Sequence, residues 1–178
     1  MFRLFRRSDD ERAVNDLYAV VVGQARQQHF YGAWGVLDTA DGRFEMISLH
    51  AFLLLRRLKG EGTRAAKLAQ AFFDLMFADV DRNLREMGVG DMRVGKRVKA
   101  MAQSFYGRIA AYDAGLREGE VTLAEALLRN VYAGQTAGAG HHLELAEYIW
   151  RQAKHLDAQN CADLLAGRLT FASVEMAP

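Results

Sequence analysis

Residues 92–116, MRVGKRVKAMAQSFYGRIAAYDAGL, carry the pattern that decides the fold. Val94, Val98, Met101, Phe105, Ile109 and Tyr112 recur at three- and four-residue steps, which gathers them on one face of a helix. Arg93, Lys96, Arg97 and Arg108 flank that face, and no acid occurs between Met92 and Tyr112. A helix that needs only solubility mixes both signs of charge, so the unbalanced face predicts an external partner.

The same period extends outward in both directions. Upstream, Thr63 to Met87 carries Leu68, Phe72, Leu75, Met76, Val80 and Leu84 on one side, with Phe73 and Phe77 widening the stripe. Gly88-Val89-Gly90-Asp91 stops that helix and offers Asp91 as the cap of the next. Lys59 to Gly62 is a turn before Thr63, a second expected cap. Phe44 to Leu58 is apolar on most sides and is expected at the centre of the core. A helix from Asp9 to Gln28 precedes it, and His29 to Arg43 interrupts the period with Gly32, Gly35 and Gly42. Downstream, Thr122-Leu123-Ala124-Glu125 reads as a capping box opening a helix to about Tyr132. Gly134 to Gly140 reads as a linker, His141 to Gln159 as the last long helix and Leu169 to Val174 as a short extended tail. The expected architecture is all-α, an irregular bundle of about six helices with a glycine-rich irregular segment at 29–43. A basic N-terminal tail at 1–8 precedes a single domain over 9–178.

Composition agrees. The 178 residues are 51% hydrophobic and 25% charged, which excludes intrinsic disorder. The one proline is Pro178, so nothing breaks long helices. Cys161 stands alone, which rules out a disulfide framework and a cysteine-built zinc site and suits a reducing compartment. No stretch reaches the roughly 18 apolar residues of a membrane span, and the basic start lacks the apolar run of a secretory signal. The net charge of +1 is uneven: residues 1–7 carry +3, residues 82–108 carry +5, and the rest is acidic. That polarity predicts a basic patch facing a partner.

Catalytic chemistry finds little support. Nothing is arranged as a serine or cysteine triad, and Gly88-Val89-Gly90 lacks the lysine and further glycines of a nucleotide loop. Asp79, Asp81 and Glu86 lie within reach of Arg82 and Arg85, as helix ion pairs do. Phe105 and Tyr106 lie in or beside the apolar stripe, and the chain is not basic overall, so nucleic acid is not an expected partner. No cofactor and no metal are called for. A second reading takes His141, His142 and Glu144 as the ligands of a small-ligand or metal-binding bundle, catalytic or not.

Two segments carry more than a helical pattern. One is Phe30-Tyr31-Gly32-Ala33-Trp34-Gly35 running on through Asp38, Asp41, Gly42 and Arg43 to Phe44. The other runs from Asp79-Val80-Asp81-Arg82 through Arg85, Gly88, Gly90 and Asp91 to Lys99, closing with Phe105-Tyr106-Gly107-Arg108. Together they resemble the ubiquinol–cytochrome c chaperone family over roughly residues 12–160. The resemblance implies an all-helical, non-enzymatic chaperone in assembly of the ubiquinol–cytochrome c reductase complex. Its client would be newly made cytochrome b or a similar membrane subunit, with a small partner protein and the ribosome as further contacts. It implies a location that is cytoplasmic and peripheral at the inner membrane. Two departures stand out: the N-terminal extension of mitochondrial members is reduced to Met1 to Arg7, and Leu37 stands where the family often has proline.

These readings assign roles. Arg93, Lys96, Arg97, Phe105, Tyr106 and Arg108 are the expected client face. Asp38, Gly42, Arg43, Asp79, Asp81, Arg85, Gly88, Gly90 and Asp91 form a structural motif, in which Asp38, Arg43, Asp81 and Arg85 fix segment 29–43 against the Thr63 to Met87 helix. Phe2, Arg3, Phe5, Arg6 and Arg7 form a membrane hook, with apolar side chains for the interface and arginines for anionic lipid.

Overall fold

The computed structural model describes residues 2–132 and 140–174, residues 2–8 by their backbone alone. Among these the chain is all-α: α1 (Phe2–Ala25), α2 (Gln28–Gly32), α3 (Ala40–Leu58), α4 (Thr63–Glu86), α5 (Asp91–Glu118), α6 (Glu120–Asn130), α7 (His141–Asp157) and α8 (Cys161–Leu164). Each of the six expected helices is present. The additional α2 and α8 span five and four residues, too short for a periodic pattern to register. The side chains of the expected membrane hook, and most of the Gly134 to Gly140 linker, lie outside the described residues. No described helix is long and apolar enough to cross a membrane.

Helix starts differ from expectation wherever glycine supplies the turn. Thr63 and Asp91 are first helical residues, and Gly62 (φ 92°) and Gly90 occupy the cap positions. The capping box at Thr122 is unused, because Gly119 (φ 128°) turns the chain so sharply that α6 opens at Glu120. α3 opens at Ala40, four residues ahead of Phe44, capped by Thr39, whose hydroxyl accepts the Gly42 N–H at 3.1 Å. Gly42 has a steric duty. A Cβ there would lie 2.0 Å from the Leu37 carbonyl oxygen, so only glycine lets the loop fold onto the first turn of α3. At the far end of the bundle, a Cβ on Gly115 would lie 2.6 Å from Leu123 Cα, which is how closely α5 and α6 approach.

α3 is the central helix. Met46, Leu49, Ala51, Phe52, Leu53 and Leu54 are each no more than 1% exposed, and α1, α4, α5 and α7 surround them. The expected clamp between segment 29–43 and α4 does not form. Arg43 pairs with Asp38 at 2.6 Å inside the segment, and Arg85 pairs with Asp81 at 2.6 Å and with Asp91 across the α4–α5 turn. None of these pairs reaches from the segment to α4, and both members of the Asp38–Arg43 pair are exposed. Apolar contact holds the segment instead, on α3 and α7. Phe30 and Val36 are buried, and the Phe30 and Trp34 rings pack against Tyr148 at 5.3 and 5.7 Å between centroids.

A buried polar chain runs through the same place. Gln24 of α1 donates to the Tyr148 hydroxyl at 2.9 Å, Tyr148 donates to His50 Nε2 at 2.8 Å, and His50 Nδ1 donates to the Met46 carbonyl at 2.8 Å. The carbonyl can only accept, which fixes the neutral tautomer. Burial pushes the imidazole from 6.5 down to about 4. The unfolded chain therefore takes up this proton at a higher pH than the folded chain, and stability falls as pH drops from 6.5 toward 4. The gap between those values is worth about 3 kcal/mol. Thermal melts of the native chain and of His50→Asn should accordingly converge between pH 7 and pH 4.5. Parallel curves would mean that His50 titrates alike in the folded and unfolded chains.

Candidate functional site

The expected client face lies on α5, and its members part company there. Phe105 is fully buried, packed against Phe73 and Phe77 of α4 with centroids 5.9 and 6.0 Å apart. It belongs to the core and not to the rim, because α4 covers the apolar stripe of α5 at this position. Tyr106 is 59% exposed beside Phe73, and Arg93 and Lys96 are exposed. Arg97 reaches Asp41 in the first turn of α3 at 3.6 Å with both side chains largely in water. Arg108 is the clearest correction: its guanidinium forms two hydrogen bonds with the Glu45 carboxylate, and both side chains are mostly buried. Burial raises the Glu45 pKa and Arg108 opposes it. An acid-free stretch of α5 thus finds two of its counter-charges on α3, 56 and 63 residues away in sequence. Arg93, Lys96, Arg97 and Tyr106 remain as the accessible part of the expected face.

Two hollows meet along this part of α5. One, about 330 Å³, lies between α3, α4 and α5 over Ile47, Val80, Leu84, Met87 and Met101. The other, about 680 Å³, lies between the start of α3, α5 and the end of α6 over Leu37, Phe44, Met101, Arg108 and Val131. Asp41, Phe44, Arg97 and Met101 line both, so the Arg97–Asp41 pair sits on the saddle between them. Met87 and Leu37 at the edges are 61% and 48% exposed, and Met92 at the start of α5 is 91% exposed. Methionine side chains adapt to irregular apolar surfaces, so this channel suits a partner helix better than a small rigid ligand.

Other candidates resolve into structure. Asp79 accepts from Tyr18 of α1 at 2.9 Å and from Arg82 at 2.5 Å, which ties α1 to α4. Burial, then Asp79, drives the Tyr18 phenol well above its usual range. Gly88 has φ 80° and ends α4, its N–H bonded to the Arg85 carbonyl. His141 Nδ1 stands 3.5 Å from Glu144, and no group of three or more metal-binding side chains converges among the described residues. Burial and Glu61 raise the Cys161 pKa, the opposite of what a nucleophile needs. The sequence reading passed over Glu45. Its signal was there: Glu45 is the one acid in the largely apolar run from Phe44 to Leu55, and a buried carboxylate must find a cation.

The sequence pattern described as Ubiquinol-cytochrome C chaperone matches residues 32–171. The chain belongs to that family. The ubiquinol-cytochrome C chaperone match begins and ends later than the 12–160 span read from the motifs, and it takes in α7, α8 and the first half of the tail. Relatives include ubiquinol-cytochrome c reductase complex assembly factor 1 of Mus musculus, 31% identical over 84% of this chain and 50% of that protein. The Homo sapiens protein of the same name is 30% identical with the same coverage, and mitochondrial protein CBP3 of Saccharomyces cerevisiae is 27% identical over 81% of this chain and 44% of that protein. The chain spans about half the length of these curated relatives. A crystal structure of the Cbp3 homolog from Brucella abortus superposes with a TM-score of 0.88 at 41% identity, covering 97% of both chains. The chaperone fold described here is therefore one that a solved structure shares.

Proposed function

We propose that this chain is a non-enzymatic assembly chaperone that captures newly made cytochrome b, or a similar membrane subunit, during biogenesis of the ubiquinol–cytochrome c reductase complex. The observation that carries the reading is the methionine-rich channel beside Arg93, Lys96 and Arg97, inside the matched region of a family whose relatives are named as reductase assembly factors. A membrane subunit outside the bilayer exposes apolar helices, and an apolar channel shields them while basic residues hold acidic flanks or anionic lipid. A small partner protein and the ribosome are further proposed contacts. Deletion of the gene in its host should remove the assembled reductase complex while other respiratory complexes persist; an intact reductase complex would sink the reading.

The N-terminal residues add a membrane-surface contact to this proposal. Three arginines in residues 1–7 contribute about 1 kcal/mol each at an anionic surface. Removing residues 1–7 should lower co-sedimentation with anionic liposomes at low salt, and unchanged co-sedimentation would discard the hook.

A further inference from the structure

Residues 169–174 follow α8 as an extended segment laid along α7 and α3, and side chains alone anchor its backbone. Gln152 of α7 is fully buried; it donates Nε2–H to the Ala172 carbonyl at 2.8 Å and accepts the Ala172 N–H on Oε1 at 2.9 Å. Gln159, just past α7, does the same for Thr170, donating to its carbonyl at 2.8 Å and accepting its N–H at 3.0 Å. Arg151 donates to the carbonyls of Ser173 and Val174, both at 3.2 Å. Alternate residues of an extended chain present their backbone groups to the same side, so the two glutamine amides act as a neighbouring strand would. Among the described residues, backbone-to-backbone bonding stops at Arg168, whose N–H donates to the Asp163 carbonyl.

The side chains of the segment make one hydrogen bond, between the Thr170 hydroxyl and His155 Nε2 of α7 at 3.2 Å, and otherwise ask only for apolar contact. Leu169 and Val174 are buried, and Phe171 stands edge-on to the His50 ring at 5.3 Å. No residue from Leu169 to Val174 is charged. A site that grips the backbone and accepts apolar side chains at the first, third and sixth positions reads conformation more than sequence.

We propose that this surface of α7 and α3 is a binding groove for an extended, uncharged peptide segment of a protein partner, with residues 169–174 as its resident and displaceable occupant. The groove goes beyond the capture face on α5 and uses none of its residues. Any extended segment with the same apolar spacing satisfies both glutamine amides and all three apolar contacts. A partner segment that also carries threonine or serine at the second position, where the Thr170 hydroxyl meets His155 Nε2 at 3.2 Å, exchanges with the tail without loss of a hydrogen bond.

The probe is the fluorescein-labelled peptide acetyl-Leu-Thr-Phe-Ala-Ser-Val-amide, titrated into the full chain and followed by anisotropy. Ala172→Pro removes the N–H given to Gln152 and weakens the tail while leaving the groove intact. The peptide should bind this variant at least tenfold more tightly than the native chain, and adding Gln152→Ala should remove that gain. A folded Ala172→Pro protein with no gain overturns the proposal. Hydrogen exchange in the native chain decides the matter independently of whether that variant folds. The Thr170 and Ala172 amides should exchange at least a hundredfold faster than the Leu53 amide in α3; equal rates would make the tail a fixed strap.

Discussion

Arg108→Ala is expected to lower stability by about 3 kcal/mol, the lower end of the cost of stranding one member of a buried ion pair. In a chain of this size that corresponds to a fall of roughly 10 °C in melting temperature. The Glu45 side chain is 11% exposed and Arg108 is 18% exposed, so the carboxylate left behind has little water to replace its partner. Its pKa is already raised by burial, and removing Arg108 takes away the opposing influence. Replacing both residues together, Glu45→Leu with Arg108→Met, should recover most of the loss, because an apolar pair leaves no buried charge. Thermal melts of the two single variants and the double variant measure this directly. Equal losses in the single and double variants would show that the site needs the shape of these side chains and not their pairing.

The second large effect is functional. Reversing Arg93, Lys96 and Arg97 to glutamate should reduce co-purification of cytochrome b at moderate salt at least tenfold while leaving helicity and melting nearly unchanged. The stability half of this expectation follows from exposure. Arg97 and Asp41 are 3.6 Å apart with side chains 47% and 81% exposed, a pair worth at most about 1 kcal/mol. The functional half follows from position, because Arg97 lines both hollows and Arg93 and Lys96 stand exposed within about one turn of it on α5. Arg108 is kept out of the variant, since its loss would confound capture with unfolding. Normal capture by the triple variant would make this face a solvated surface and move the client site to segment 29–43.

The helices were legible because their evidence is local. The stripe from Val94 to Tyr112 and the all-round apolar run from Phe44 to Leu58 each announce a helix and its burial within a single stretch of chain. The caps at Gly62 and Gly90 were read one residue late and that at Gly119 three residues late, since capping residues stood nearby and a backbone turn leaves no side-chain mark. The basic and apolar pattern of α5 was legible, and which of its residues stay accessible was not. Periodicity names the apolar face of α5 but does not say that α4 will cover Phe105, and local charge counting does not see Glu45 or Asp41 arriving from α3.

Sequence alone determined the all-helical class, the centrality of α3, the uneven charge and the motifs that carry the family resemblance. All of these are sums over neighbouring residues. The tertiary structure decided which cations stay free, which aromatic becomes core, and that two glutamines on and beside α7 hold the tail. Each of those depends on residues far apart in sequence meeting at hydrogen-bond distance, as Gln24 and Tyr148 do 124 positions apart. Burial then sets what such a meeting is worth, because a charge or amide removed from water must find its partner inside the fold.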